Sequence, residues 1–356
     1  MNRHRIALIP GDGVGTDVLA GGLAVLRRAG EVTGNFQLEI TDLPWSCRYY
    51  LEHGRMMPQD GLTILADHEA IYLGAVGFPG VPDHVSLWGL LLPIRQGFDQ
   101  YVNVRPIRVL EGIESPLRAG TSETVDMLCI RENSEGEYAG VGGRSHVGRP
   151  GEVALQTSVY TRHGVERIAR YAFDRARERG GKLASATKSN ALQYTAVLWD
   201  EIIEEVAQDY PDVTVTRYLV DALAARFVSH PASLDVVVAS NLYADILTDL
   251  GAAIQGSMGL AASANLDPSR RYPSMFEPVH GSAPDIAGQG IANPLGAIWA
   301  GAMMLEHLGE GEAAILVMRA LETVARDGPR THDVGGDSST DEVADAIVAA
   351  VGKVVA

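Results

Sequence analysis

The sequence predicts an α/β fold around a mainly parallel sheet. Short β-branched runs alternate with longer amphipathic stretches, and residues 234–239 (LDVVVA) are apolar without alternation. Glycine and proline clusters punctuate the joints, at residues 77–82 and 140–151. A length of 356 residues suggests two domains, at roughly 150 residues each. In chain order, residues 5–9 read as a strand and residues 11–15 (GDGVG) as a tight turn. Residues 17–28 read as a helix, with Val18, Leu19, Leu23, Val25 and Leu26 at helical spacing. The turn is not a dinucleotide fingerprint, because GxGxxG needs glycine where Thr16 stands, though a turn at a strand's carboxyl end can still line a ligand cleft. Residues 70–74 and 125–129 are further strands. Residues 71–81 and 87–94 are apolar but broken by Gly and Pro, and read as buried strand or loop. Residues 158–179 read as one long helix, residues 213–220 as an alternating strand and residues 234–239 as a buried one, with a helix starting near Leu242. Residues 140–151 are either a mobile loop or the turn of a projecting hairpin. Residues 340–356 form a terminal helix behind the capping signal of Thr340.

Composition excludes several function classes. Lys and Arg number 29 against 45 Asp and Glu, a net charge of −16. Such a chain repels phosphate backbones and anionic lipid, so neither nucleic acid nor a membrane is an expected partner. The basic N-terminus is cut by Pro10 and Gly11, which does not fit a signal peptide, and no apolar run reaches the roughly 18 residues of a membrane span. Cys47 and Cys129 are the two cysteines, too few for a disulfide framework, and a cytoplasmic setting is expected.

Several residues could carry chemistry. Asp245 and Asp249 stand four apart in SNLYADILTDLG, on one helical face. They are either a solvated acidic face or, given Leu242, Ile246, Leu247 and Leu250 around them, a pair for a hard divalent cation. Asp221, at the end of a strand, is a candidate third ligand. Arg95, Arg105 and Arg131 lie beside apolar segments; each is a structural ion pair or a fork for a substrate carboxylate. Tyr138 and Lys188 are candidate proton carriers if burial or a nearby cation shifts them, and otherwise packing or surface residues. Residues 277–293 (EPVHGSAPDIAGQGIAN) form a long irregular stretch of small residues, suited to close backbone approach to a ligand.

Six segments occur in order and run nearly end to end: IPGDGVG, LLPIRQGFDQYVNVRP, RENSEGEY, SATKSN, SNLYADILTDL and EPVHGSAPDIAGQGIANP. Together they resemble the β-hydroxyacid oxidative decarboxylases, the family of isocitrate, isopropylmalate, homoisocitrate and tartrate/D-malate dehydrogenases. The resemblance implies a two-domain fold whose dinucleotide site lacks the Rossmann glycines. Residues 1–100 and 256–356 would form the large cofactor-binding domain. Residues 101–255 would form a small domain with the dimer contacts and an arm near 138–155. It implies a homodimer with shared active sites: Arg95, Arg105 and Arg131 on the substrate carboxylate, Tyr138 as proton donor, and Asp245 and Asp249 on Mn²⁺ or Mg²⁺. Lys188 as base and Asp221 as metal ligand would come from the partner subunit. Glu277, His280, Gly281, Ser282, Ala283, Asp285, Ile286, Asn293 and Asn190 are implied to bind the cofactor. Asp285 and Ile286 stand where NADP-using relatives carry Lys-Tyr, which implies NAD, since a carboxylate suits ribose hydroxyls and repels a 2′-phosphate. Trp88, in a stretch similar to the tartrate/D-malate branch, is read as filling the space of a substituent. That implies a small C4 hydroxy diacid, D-malate or tartrate, with 3-isopropylmalate as the alternative, and the branch's K⁺ requirement comes with it. A non-catalytic regulatory subunit is disfavoured, because Tyr138, Lys188 and the Asp set are all present. One departure is Ala244, where the family has Gly before the metal aspartate.

Overall fold

The computed structural model describes residues 1–118 and 120–353. Its strands are β1 (Asn2–Gly11), β2 (Phe36–Asp42), β3 (Ala70–Ala75), β4 (Val102–Arg108), β5 (Asp126–Glu132), β6 (Gly136–Ser145), β7 (Val153–Val159), β8 (Lys182–Thr187), β9 (Thr214–Leu219), β10 (Val236–Ala239), β11 (Ala262–Leu266) and β12 (Ser274–Pro278). The chain divides into two compact units. One comprises Met1–Gln100, Arg108–Ser122 and residues 252 onward; the other comprises Tyr101–Ile107 and Glu123–Gly251. Arg108–Ser122, placed by the sequence reading in the small domain, thus falls in the first unit.

In the first unit the strands lie in the order β2-β1-β3-β12-β11. β1 runs parallel to β2 and β3, β12 runs parallel to β3, and β11 is antiparallel to β12. All six residues of β3 (AIYLGA) are buried, as expected for a parallel strand covered on both faces. The helices Gly15–Thr33, Leu295–His307, Gly311–Asp327 and Thr340–Lys353 pack on one another. The Tyr72 hydroxyl on β3 donates to the Ala297 carbonyl at 2.6 Å, joining sheet to helix. The turn after β1 depends on glycine: Gly11 and Gly13 have φ of +74° and +59°. Between them Asp12 is buried and accepts from the backbone N–H of Cys47 at 2.9 Å and of Gly77 at 3.2 Å. The terminal helix is seen to Lys353; the last three residues of the helix expected over 340–356 lie outside the described residues.

In the second unit the order is β4-β5-β10-β8-β9, with β10 parallel to β5 and β8, and β8 parallel to β9. β10 is buried at all four positions. β6 and β7 form a separate antiparallel hairpin, largely exposed, so residues 140–151 belong to a hairpin rather than a loop. Both cysteines are free and buried. Burial, with the Asp12 carboxylate adding to it, pushes the Cys47 thiol up to about 12. Burial alone raises Cys129 to about 12 against the pull of Arg105.

Two elements differ from their sequence reading. The helix expected over 158–179 starts later, at Arg162–Glu178, because Ser158 and Val159 are held in the hairpin and Thr161 caps the helix by accepting from Gly164 N–H at 2.9 Å. Residues 87–94 are helical, not strand or loop: a π-helical segment Leu87–Leu91 leads into the helix Leu92–Gly97. Pro93 falls inside a continuous helical run from Asp83 to Gly97, directly after the π-helical turn, where the regular α-helical hydrogen-bond ladder is already interrupted. Gly89 is required by close packing on the Met56 side chain. Among the described residues no helix is long and apolar enough to cross a membrane.

Candidate active site

In the second unit, functional side chains gather at the carboxyl ends of parallel strands, where α/β sheets bind ligands. Ala239 of β10 sits beside Arg131 of β5 in register. Two residues later the chain turns into the helix Asn241–Ile254. The Arg131 guanidinium is gripped from that helix: Nε and Nη2 donate to Asn241 Oδ1 at 3.1 and 2.5 Å, and Nη1 donates to Asp245 Oδ1. Asp245 lies one turn beyond Asn241, so both face Arg131. Arg105, from β4, approaches from the other side. Its Nε donates to Asn103 Oδ1 at 2.9 Å, its Nη1 to Thr248 Oγ1 at 2.6 Å, and its Nη2 lies 3.3 Å from Asp245 Oδ1. One carboxylate is thus shared by two guanidiniums. Asp249 follows one turn on; burial and then the Asp245 charge push its carboxyl above the usual range, against the pull of both arginines. The Arg131 guanidinium also lies 5.7 Å from the ring centre of Tyr138, on β6. Ala244 fits: it is buried, and its N–H reaches the Ser240 carbonyl at 2.9 Å.

Lys188 follows β8, and Asp221 opens the helix Val220–Ser229 after β9. The two meet at 2.5 Å (Nζ to Oδ1), and this hydrogen bond holds Asp221 below the usual carboxylate range. Asp221 therefore does not complete a metal set with Asp245 and Asp249 inside one chain. Among the described residues no three His, Cys, Asp or Glu side chains group as metal ligands.

In the first unit, the turn after β1 docks on the loop after β12: Val14 N–H donates to the Ser282 carbonyl at 2.9 Å. A side chain at Gly13 would collide with that same carbonyl. Beside this junction lies a cavity of about 280 Å³ lined by Val14, Gly259, His280, Gly281, Ala283, Ile286, Ile291, Asn293, His332 and Asp333, among others. The lining is mostly apolar or backbone, the surface of a pocket for a flat ligand. Burial lowers the His280 imidazole's pKa, and its Nε2 is buried without a hydrogen-bond partner among the described residues. Ala283 has φ +39°, a left-handed conformation costly for a non-glycine residue and common at ligand sites. Asp333 ties the rim together. Its Oδ2 accepts from Asn293 Nδ2 at 3.0 Å and from Ser257 Oγ, and its Oδ1 accepts from Thr331 Oγ1 at 2.5 Å.

Full-length comparison sets this geometry in context. The isocitrate/isopropylmalate dehydrogenase family model matches residues 5–347. The chain belongs to that family. It is 52% identical over 352 residues to the Agrobacterium vitis protein named probable tartrate dehydrogenase/decarboxylase, covering 99% of this chain and 98% of that one. It is 51% identical over 355 residues to the Escherichia coli protein named D-malate dehydrogenase (decarboxylating), covering 98% of each. The crystal structure of isocitrate dehydrogenase from Methylococcus capsulatus superposes with a TM-score of 0.88 at 37% identity, covering 98% of this chain and 100% of that one. The fold is therefore isocitrate dehydrogenase-like, of the α/β class with a mainly parallel sheet, and the chain is a dehydrogenase of the isocitrate/isopropylmalate dehydrogenase family.

Within this family member, some sequence assignments gather and others scatter. Arg105, Arg131, Tyr138, Asp245 and Asp249 come together. Arg95 belongs to the first unit, where its Nη2 donates to Glu277 Oε1 at 2.7 Å, both side chains buried, and Asn265 Nδ2 reaches the same oxygen at 2.7 Å. Glu277 is thus engaged in a buried ion pair and is not on the cavity wall. Of the residues assigned to the cofactor, His280, Gly281, Ala283, Ile286 and Asn293 line the cavity. Ser282 borders a neighbouring cleft with residues 76–83, Asp285 is exposed, and Asn190 borders a separate cleft with Asp200 and Arg217. Trp88 is 41% exposed. Sequence reasoning missed Asn241, Asn103 and Thr248 around the arginines, and His332 and Asp333 at the cavity, whereas Val14 lies in the turn read as able to line a ligand cleft. Asn241 carried a signal, at a strand end four residues before Asp245; the other missed residues carried none.

Proposed function

We propose that this dehydrogenase oxidatively decarboxylates a small C4 2-hydroxy diacid, D-malate or tartrate, with NAD as hydride acceptor and a divalent cation. Support comes chiefly from two buried arginines, Arg105 and Arg131, converging on Asp245 with Asp249 one turn away. Two cations suit a dicarboxylate, and two crowded carboxylates suit a hard cation such as Mn²⁺ or Mg²⁺. When bound by Asp245 and Asp249, the ion acts as a Lewis acid that acidifies the substrate hydroxyl. Arg105 and Arg131 hold the substrate carboxylates and fix the hydroxyl carbon. Lys188, with Asp221, comes from the partner subunit and takes the hydroxyl proton, and Tyr138 returns a proton to carbon after CO₂ leaves. The apolar cavity beside Val14 and His280 fits the adenosine half of NAD, and Asp285 disfavours a 2′-phosphate. Homodimerisation is favoured by exposed apolar side chains in the second unit, among them Tyr194 (80% exposed) and Ile246 (59%). A cytoplasmic setting fits two free cysteines.

NADH formation at 340 nm tests the reading, with Mn²⁺ or Mg²⁺, with and without K⁺. The substrates are D-malate, L-malate, the tartrate stereoisomers and 3-isopropylmalate. Turnover of D-malate or tartrate with NAD well above NADP is expected, with Trp88 as size filter. Preferred turnover of 3-isopropylmalate would overturn the substrate assignment. Light scattering on the eluting protein should give twice the chain mass.

A further inference from the structure

The turn of residues 11–15 has the glycines of a dinucleotide loop without their spacing, and its contacts point to a different use. It stands between two loops of the first unit. One, residues 76–83, follows β3; the other, residues 281–284, follows β12. Together these loops line a cleft of about 610 Å³. The cleft adjoins the His280 cavity, since Gly281 and Ala283 belong to both linings. The turn holds each loop through a different residue. Val14 N–H donates to the Ser282 carbonyl at 2.9 Å, and Gly13 leaves no room there for a side chain. On the other side Asp12 Oδ2 accepts from Gly77 N–H at 3.2 Å and from Cys47 N–H at 2.9 Å. Asp12 is 2% exposed, so both hydrogen bonds are sheltered from water.

Residues 76–82 (VGFPGVP) form neither helix nor strand, so anchors rather than a backbone ladder fix their place. Gly77 is the second residue after β3, at the point where the loop leaves the sheet. Cys47 opens the helix Cys47–His53, and its N–H is one of the donors that a helix start leaves unpaired. A single buried oxygen thus ties the loop to that helix and to the turn that docks on Ser282. We infer that Asp12 is a positioning residue: its carboxylate fixes residues 76–83 opposite residues 281–284, and so pre-forms the cleft for the part of NAD beyond the adenosine, its diphosphate and nicotinamide riboside. This rests on the reading of the His280 cavity as the adenosine site. A loop ordered before binding spares the cofactor the cost of ordering it.

Asp12→Ala removes the acceptor, whereas Asp12→Asn keeps one, because both hydrogen bonds fall on the same oxygen. In Asp12→Ala the Kd of NADH by fluorescence titration and the KM for NAD should each rise about ten-fold or more, the scale of one hydrogen bond to a charged acceptor. The inhibition constant of AMP, which lacks the second phosphate and the nicotinamide half, should stay within about three-fold of wild type. The kcat at saturating NAD should fall less than the KM rises. Asp12→Asn should bring the NADH affinity back to within about three-fold of wild type. A purely structural role predicts otherwise: lower thermal stability with wild-type NADH affinity per folded molecule, or equal losses for NADH and AMP. Either result overturns the proposal, as does an Asp12→Asn variant that binds NADH as weakly as Asp12→Ala. If Asp12→Ala fails to fold, Asp12→Ser, whose shorter side chain cannot bridge Gly77 and Cys47, decides alone, and wild-type NADH affinity in it overturns the proposal. Wild-type protein that binds NADH and AMP but oxidises no diacid would sink the substrate reading, and the proposal would still stand or fall on the titrations. Wild-type protein that binds neither nucleotide would overturn both.

Discussion

The Asp245–Arg131 cluster of the second unit and the Val14–Asn293 cavity of the first are built from opposite materials. The cluster is made of charged side chains held by other side chains, drawn from β4, β5 and the helix that follows β10. The cavity is made of backbone, glycine and small apolar groups, with one carboxylate, Asp333, binding its rim. A compact dianion needs concentrated charge at a few fixed points. A dinucleotide offers a broad flat surface, and what it needs from the protein is room and shape. Damage to the two regions should therefore differ in kind: changes in charge and proton transfer in the second unit, changes in packing in the first.

The largest effect is expected from Lys188→Met. Removing the proposed base should lower kcat by about 10²–10⁴-fold, the usual range for general acid–base catalysis, with a minor change in KM for NAD. Stopped-flow or steady-state NADH formation would measure it, and a loss under three-fold would remove Lys188 from the chemistry. Gly13→Ala should come next and strike the cavity. The added methyl collides with the Ser282 carbonyl at a backbone angle that disfavours alanine. Overpacking of about 1–3 kcal/mol, if it falls on the bound state, corresponds to a rise of about five- to 150-fold in KM for NAD. The Kd of D-malate should not change; if it rises equally, the two regions are not separable in this way.

The smallest effect lies outside both regions and calibrates them. Burial pushes the Glu310 carboxyl up, but hydrogen bonds from His4 at 3.0 Å and Asn2 Nδ2 at 2.8 Å outweigh it and hold it below the usual range. A depressed carboxyl stabilises the fold above its unfolded value, about 4.3, and that contribution is lost as pH falls through the lower folded value. Glu310→Gln should therefore cost about 1 kcal/mol at pH 7, and the gap to wild type should close below about pH 4. Thermal melts across that range would show it, and a gap that widens in acid would contradict the assignment. Neither kcat nor the KM for NAD should move at pH 7.

The same contrast explains what could be read in advance. Asp245, Asp249, Arg105 and Arg131 were legible because charged residues amid apolar neighbours need partners, and helical spacing shows which of them share a face. The parallel strands were legible in runs such as residues 234–239, since burial on both faces leaves a continuous apolar signature. Residues 87–94 were misread because Gly89 and Pro93 look like breakers, whereas one answers to a methionine elsewhere in the chain and the other follows directly on a π-helical turn. Asp333 was illegible for a related reason. Its role depends on Asn293, a distant residue that only the folded chain brings near. Glu277 and Arg95 could be read as functional types, but not that each would be the other's partner.

The two sealed cysteines have a practical consequence. With thiols raised to about 12, only about one in 10⁵ is deprotonated at pH 7, and neither is open to solvent. Maleimide and iodoacetamide reagents should leave the native chain unlabelled for hours. A single cysteine introduced on the exposed β6–β7 hairpin could then carry a fluorophore or spin label in an otherwise wild-type protein, with no need to remove Cys47 from beside Asp12.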